Sequence, residues 1–261
     1  MIKPALTLIA ALLASPASAQ DLSKGTWVDL THAFNSESVY WPTAKMFEHT
    51  EVFAGHTDGG YFYSSYDFAS SEHGGTHLDA PVHFAEGANS SDKIPVEQLI
   101  GPGFVIDVTK QSADNVDYLV SATDIEAFEA EHGKIPEGAI VLLNTGRAGL
   151  YPDREIYMGT AARGQEAVAD LHFPGLGLDG AKLLVERGIG AVGLDTPSID
   201  FGQSTDFASH VELMTNNVAA FENVADMSAL PTTGSMIIAM PMKIEGGSGG
   251  PLRIIAHLPG D

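Results

Sequence analysis

The chain has 261 residues, of which 44% are hydrophobic and 18% charged, a balance that supports a buried core and excludes disorder, coiled coil and collagen-like repeats. Lys and Arg number 13 against 34 Asp and Glu, for a net charge of −21. That surface repels phosphate backbones and anionic headgroups, so neither nucleic acid nor membrane is expected as a partner. With no cysteine, disulfides, thiolate sites and cysteine nucleophiles are excluded, and a metal must be held by nitrogen and oxygen.

Residues 1–19 read as a signal peptide: Lys3, an apolar run over Ala5–Ala14, and the small-x-small ending Ala17-Ser18-Ala19. The run is shorter than the roughly 20 residues needed to span a bilayer. A mature domain of residues 20–261 working in the periplasm or secreted is therefore expected. Strands are predicted near Trp27–Leu30, Tyr61–Phe68, Phe104–Val108, Ile140–Asn144, Ile189–Leu194, Met236–Met240 and Leu252–Ala256, where apolar or β-branched residues alternate or cluster. A helix is predicted after Thr123 as N-cap, with Glu126 completing a capping box and Gly133 as the stop; a second runs over Leu178–Gly188. Helix–strand pairs among hairpin-like stretches predict one α/β domain with a mixed sheet.

The chemistry concentrates in His73-Gly74-Gly75-Thr76-His77-Leu78-Asp79-Ala80-Pro81-Val82-His83-Phe84. Glycines and a proline disfavour a helix here. In an extended chain, His77, Asp79, Pro81 and His83 share one face, and a glycine turn folds His73 back toward them. Two imidazoles and a carboxylate leave coordination positions for water and substrate. Polar residues of a surface loop are the alternative, and the density of potential ligands argues against it.

The pattern HxGTHxDxPxHF, filled at every fixed position, resembles the hallmark of the cyclase-like metal-dependent hydrolases. Gly193–Asp200, the pair His210 and Glu222, Pro241–Lys243 and Gly249–Arg253 also look familial, so the resemblance spans roughly Trp27 to the end. It implies a swivelling β/β/α fold with a barrel-like mixed sheet, and His73, His77 and Asp79 as metal ligands. It further implies His83 as general base toward a metal-activated water and later proton donor. His210 and Glu222 hold either a second metal or the ligands themselves. The family includes enzymes that open the lactam ring of isatin to isatinate and others that hydrolyse N-formylkynurenine; the secretion signal and local sequences look more like the former. The resemblance also implies a homodimer, and, with the acidic composition, Mn²⁺ as the ion; Zn²⁺ also suits the donor set.

A small aromatic amide needs an aromatic slot, for which Tyr40, Trp41, Phe53, Tyr61 and Tyr63 are candidate walls. A periplasmic metal-dependent binding protein without turnover is the rival of a different class, and His83 argues against it. No G-x-S-x-G elbow and no G-x-G-x-x-G fingerprint after a strand supports a serine hydrolase or a dinucleotide enzyme.

Overall fold

A computed structural model describes residues 21–260; the expected signal peptide lies outside them. The strands in chain order are β1 (Thr26–Asp29), β2 (Glu48–His56), β3 (Phe62–Ala69), β4 (His77–Asp79), β5 (Ile100–Asp107), β6 (Leu119–Val120), β7 (Ile140–Asn144), β8 (Gly175–Leu176), β9 (Ala191–Leu194), β10 (Ala219–Glu222), β11 (Thr233–Pro241) and β12 (Gly249–Leu258). The α-helices are α1 (Thr109–Asp114), α2 (Ala122–His132), α3 (Arg154–Met158), α4 (Leu178–Arg187) and α5 (Ala208–Thr215).

Seven strands close on themselves in the order β12-β11-β5-β7-β9-β10-β4, because β4 pairs with β12 as well as with β10; β1 adds to the outer edge of β12. Pairings are parallel from β5 through β7 and β9 to β10 and antiparallel elsewhere around the ring. This is the barrel-like mixed sheet of an α/β fold. Closure removes the unpaired edges that an open sheet exposes.

The sequence of β7 shows why the ring is stable. Its residues Ile140 and Leu142 join a cluster with Leu78, Val105, Ala191, Phe221, Ile237 and Ile254, drawn from every ring strand, and so fill the interior. Val141 and Leu143 face the other way and pack with Ile125 and Phe128 of α2 and Ala181 and Leu184 of α4. A strand buried on both faces reads as a continuous apolar run, as IVLL does.

All seven predicted strands are present, with ends shifted by up to four residues. The first helix starts earlier than predicted. Ser121, not Thr123, is the N-cap, and Asp124, not Glu126, completes the capping box. Asp124 Oδ2 accepts from Ser121 N at 2.8 Å, and its carboxylate also accepts from Tyr118 Oη at 2.9 Å, so the short acid anchors the turn twice. Gly188 ends α4 as predicted, with φ of +67°. The pairing β2–β3 forms a separate two-stranded ribbon. No helix among the described residues is long and apolar enough to cross a membrane.

Candidate metal centre

The HGGTH segment turns sharply before entering the ring. Gly74 and Gly75 both have positive φ, +150° and +58°; a Cβ on Gly74 would collide with the Tyr40 ring, and one on Gly75 would meet Phe34 at 2.6 Å. Only glycine fits both demands. Thr76 Oγ1 then donates to the Asn223 carbonyl at 2.7 Å and accepts the His32 N–H at 2.9 Å, pinning the segment to the end of β10. Strand β4 follows, with His77 opposite Glu222 on β10 and Asp79 opposite Gly249 on β12.

The extended reading holds for His77 and Asp79 but not for His83. Pro81–His83 is a turn of 3₁₀ helix, in keeping with the fixed φ of a proline at its first position. This turn, rather than strand alternation, brings His83 back over His73; the two rings stack at 3.9 Å between centroids.

Asp79 lies at the centre. Its Oδ1 is 2.6 Å from His73 Nδ1 and 3.2 Å from His77 Nε2, and its Oδ2 is 3.2 Å from His210 Nε2. Glu222 faces the same space, 3.3 Å from His77 Nε2 and 3.3 Å from His210 Nε2. Asp79, His77, His210 and Glu222 are all less than 5% exposed.

Outer contacts aim these groups. His77 Nδ1 donates to the Gly75 carbonyl at 2.9 Å, which also accepts from Asn223 Nδ2 at 2.9 Å. Asn223 Oδ1 in turn accepts from Tyr157 Oη at 2.9 Å. His210 Nδ1 pairs with Asp200 Oδ2 at 2.6 Å, and Asp200 also accepts the N–H groups of Ser209 and His210 at the start of α5. Glu222 Oε1 accepts the Ile199 N–H at 2.7 Å. The loop after β9 thus orients both His210 and Glu222. Sequence reading missed Asp200 and Asn223 in these roles; the signal available was a carboxylate ten residues before His210, closing the run Gly193–Asp200.

The donor set fits a divalent cation. His77 commits Nδ1 to a carbonyl, which leaves Nε2 as the nitrogen that would face a cation, and that atom is buried with no hydrogen bond of good geometry, as a ligand nitrogen would be. Two donor groups share Asp79: His73, Asp79 and His83, and His77, Asp79 and Glu222. Burial alone would lower the His77 pKa, but Asp79 and Glu222 raise it to about 10. His210 is likewise held well above its usual value against burial by Asp200, Asp79 and Glu222. Burial would raise Asp79, yet the surrounding imidazoles hold it well below the usual carboxylate range. Protons on His77 and His210 therefore supply the positive charge that two buried carboxylates demand. A cation supplies it equally.

Above the carboxylates is a cavity of about 280 Å³, near the lower end of the roughly 300–1,000 Å³ typical of ligand pockets. Tyr40 and Trp41 line it, as do Phe84 and Phe207, two aromatics not among the sequence candidates. Phe84 packs on His210 at 4.5 Å and on Phe207 at 5.3 Å. Phe207 holds a left-handed φ of +49°, a strained conformation for a bulky residue. Phe53, Tyr61 and Tyr63 do not line the cavity, which corrects their expected role: Phe53 and Tyr63 stand on the β2–β3 ribbon and Tyr61 in the turn that joins its strands, 41%, 50% and 64% exposed. Strand aromatics there face solvent because no core lies on either side of the ribbon. No Lys or Arg is among the cavity's lining residues.

The Cyclase family model matches residues 28–201. The chain belongs to the Cyclase family. Its site is accordingly that of a metal-dependent hydrolase, and the chain is an enzyme. Isatin hydrolase of Roseibium aggregatum is 35% identical over 196 residues, 72% of each chain. Kynurenine formamidase of Bacillus anthracis is 25% identical over 232 residues, covering 88% of this chain and 96% of its own length. Among solved structures, isatin hydrolase A from Labrenzia aggregata bound to benzyl benzoate superposes with a TM-score of 0.81 at 31% identity, covering 90% and 94% of the two chains. An isatin hydrolase bound to the product analogue thioisatinate gives 0.81 at 28% identity, covering 91% and 94%.

Proposed function

We propose that this Cyclase-family hydrolase opens the lactam ring of isatin to isatinate, with His83 as the proton-transfer group and Mn²⁺ as its ion. The observation that carries the substrate reading is the cavity: aromatic walls, His83 over the donor cluster and no Lys or Arg in the lining. A planar lactam stacks between such walls and loses little conformational entropy on binding. The amino-acid tail of N-formylkynurenine brings a carboxylate, for which this cavity offers no Lys or Arg. The isatin hydrolase relatives support the same choice.

A bound divalent cation acidifies water and polarises a carbonyl oxygen. Burial lowers His83 to about 4, against the opposing pull of Asp79, so its imidazole is neutral at working pH and accepts a proton. It takes that proton as the water oxygen bonds to the lactam carbon, and returns it to the ring nitrogen as the C–N bond breaks. Asp79, His77 and Glu222 stay in place through the outer contacts described above. On one metal-loaded sample, kcat/KM for isatin is expected to exceed that for N-formylkynurenine by at least about 100-fold, the scale on which an unmet buried polar group is penalised. A ratio favouring N-formylkynurenine supports deformylation by the same residues.

Export and dimerisation complete the reading. The β2–β3 ribbon exposes Phe53, Phe62, Tyr63, Tyr66 and Phe68, and a lone two-stranded ribbon is marginal in water; a second copy of the chain packed on it removes both liabilities. Native mass spectrometry of the protein from its own host is expected to give two chains, each beginning near Gln20 and carrying manganese. A monomer, an uncleaved leader or zinc each overturns the corresponding part.

A further inference from the structure

His73 is gripped on both ring nitrogens. Nδ1 faces Asp79 Oδ1 at 2.6 Å, and Nε2 lies 2.8 Å from Ser248 Oγ. Ser248 Oγ is also 2.8 Å from Glu72 Oε2, and that oxygen accepts the backbone N–H groups of Ser248 at 2.8 Å and Gly249 at 3.2 Å. Gly249 admits the imidazole: a Cβ there would meet His73 Cε1 at 2.7 Å. Residues 175 positions apart in the chain are thus joined at one ring.

A serine hydroxyl has one proton to give, and a carboxylate only accepts. Donation to the charged Glu72 is the stronger bond, so the Ser248 oxygen is left to accept from His73 Nε2–H. We propose that Glu72 and Ser248 are positioning residues of the metal centre: a carboxylate–serine–histidine relay that keeps a proton of His73 on Nε2 and leaves Nδ1, the nitrogen that meets Asp79 Oδ1 at 2.6 Å, as the one that would face a bound cation. The two ligand histidines then offer different nitrogens, Nδ1 from His73 and Nε2 from His77, each fixed by an acceptor on its opposite nitrogen. The relay rests on the metal-site reading and is independent of which amide is the substrate.

The test uses the full protein loaded with diamagnetic Zn²⁺, together with Glu72→Gln, Ser248→Ala and Ser248→Thr. Long-range ¹H–¹⁵N spectra of the loaded wild type are expected to show His73 protonated at Nε2. Competition against a fluorescent chelator is expected to show affinity about 10–100-fold weaker in Glu72→Gln and Ser248→Ala, with Ser248→Thr near wild type and the metal-free melting temperatures unchanged. A proton on Nδ1, wild-type affinity in both variants, or losses matched by collapse of the metal-free fold overturns the relay. Wild-type protein that takes up no stoichiometric ion overturns the metal-site reading itself.

Discussion

Asp79→Asn is expected to fold, to lose its cation and to reduce turnover to background. The side chain keeps its shape but no longer carries the charge that faces His73, His77 and His210 at 2.6 to 3.2 Å. Removing a partner outside the ligand shell costs about 10–100-fold in metal affinity. Removing the carboxylate common to both donor groups is expected to cost more than about 100-fold. Equilibrium dialysis with elemental analysis measures the loss, and far-ultraviolet circular dichroism establishes that the sheet persists. A variant that retains one ion per chain with near-normal turnover shows that Asp79 is not a ligand.

His83→Ala is expected to separate binding from chemistry. It keeps the ion, because the expected ligands His73, His77 and Asp79 are untouched, and lowers kcat by about 10² to 10⁴, the usual contribution of a positioned general base. The pH profile carries an independent sign. Burial lowers His83 to about 4, with Asp79 opposing and His73 and His210 adding to the effect. Protonation disables the base, so kcat/KM falls as pH drops through that region rather than near the ordinary histidine value of about 6.5. A neighbouring cation moves the limb further in the same direction. Loss of the ion in His83→Ala makes this residue a ligand, and an acid limb at or above 6.5 removes it from the proton-transfer role.

How much of this was legible in the sequence differs from element to element. β7 matched residue for residue because Ile140–Asn144 is an uninterrupted apolar run, and α4 matched because Gly188 stops it. β2 was missed: in EHTEVFAGH nearly every position is exposed, so there is no burial alternation to read. β10, AAFE, lacks β-branched residues, and α5 has Phe207 as its N-cap residue, with no side-chain cap. Its anchoring acid, Asp200, comes from the preceding loop. The motif revealed which side chains gather, since His73, His77 and Asp79 do converge. It did not reveal how His83 arrives, because Pro81 turns a strand into a 3₁₀ turn. The pocket walls were the weakest part. Pattern alone cannot distinguish Tyr40 and Trp41, beside the donors, from Tyr61 and Tyr63, on a ribbon that faces solvent.

The closure of the ring by β4 ties the completion of the sheet to the C-terminal end of the chain. Residues 77–79 have two sheet partners, 220–222 and 249–251, and both are made late. The parallel pairings of β5 with β7 and of β7 with β9 join strands that lie near one another in the chain. β4 instead pairs with strands from the far end of the chain, and long loop closures of this kind are slow steps. A centre built on β4 therefore depends on the last strand of the described chain. A chain ending at Pro241 lacks the strand that completes the ring and the Ser248 that holds His73, so it cannot assemble the centre whatever the supply of cation.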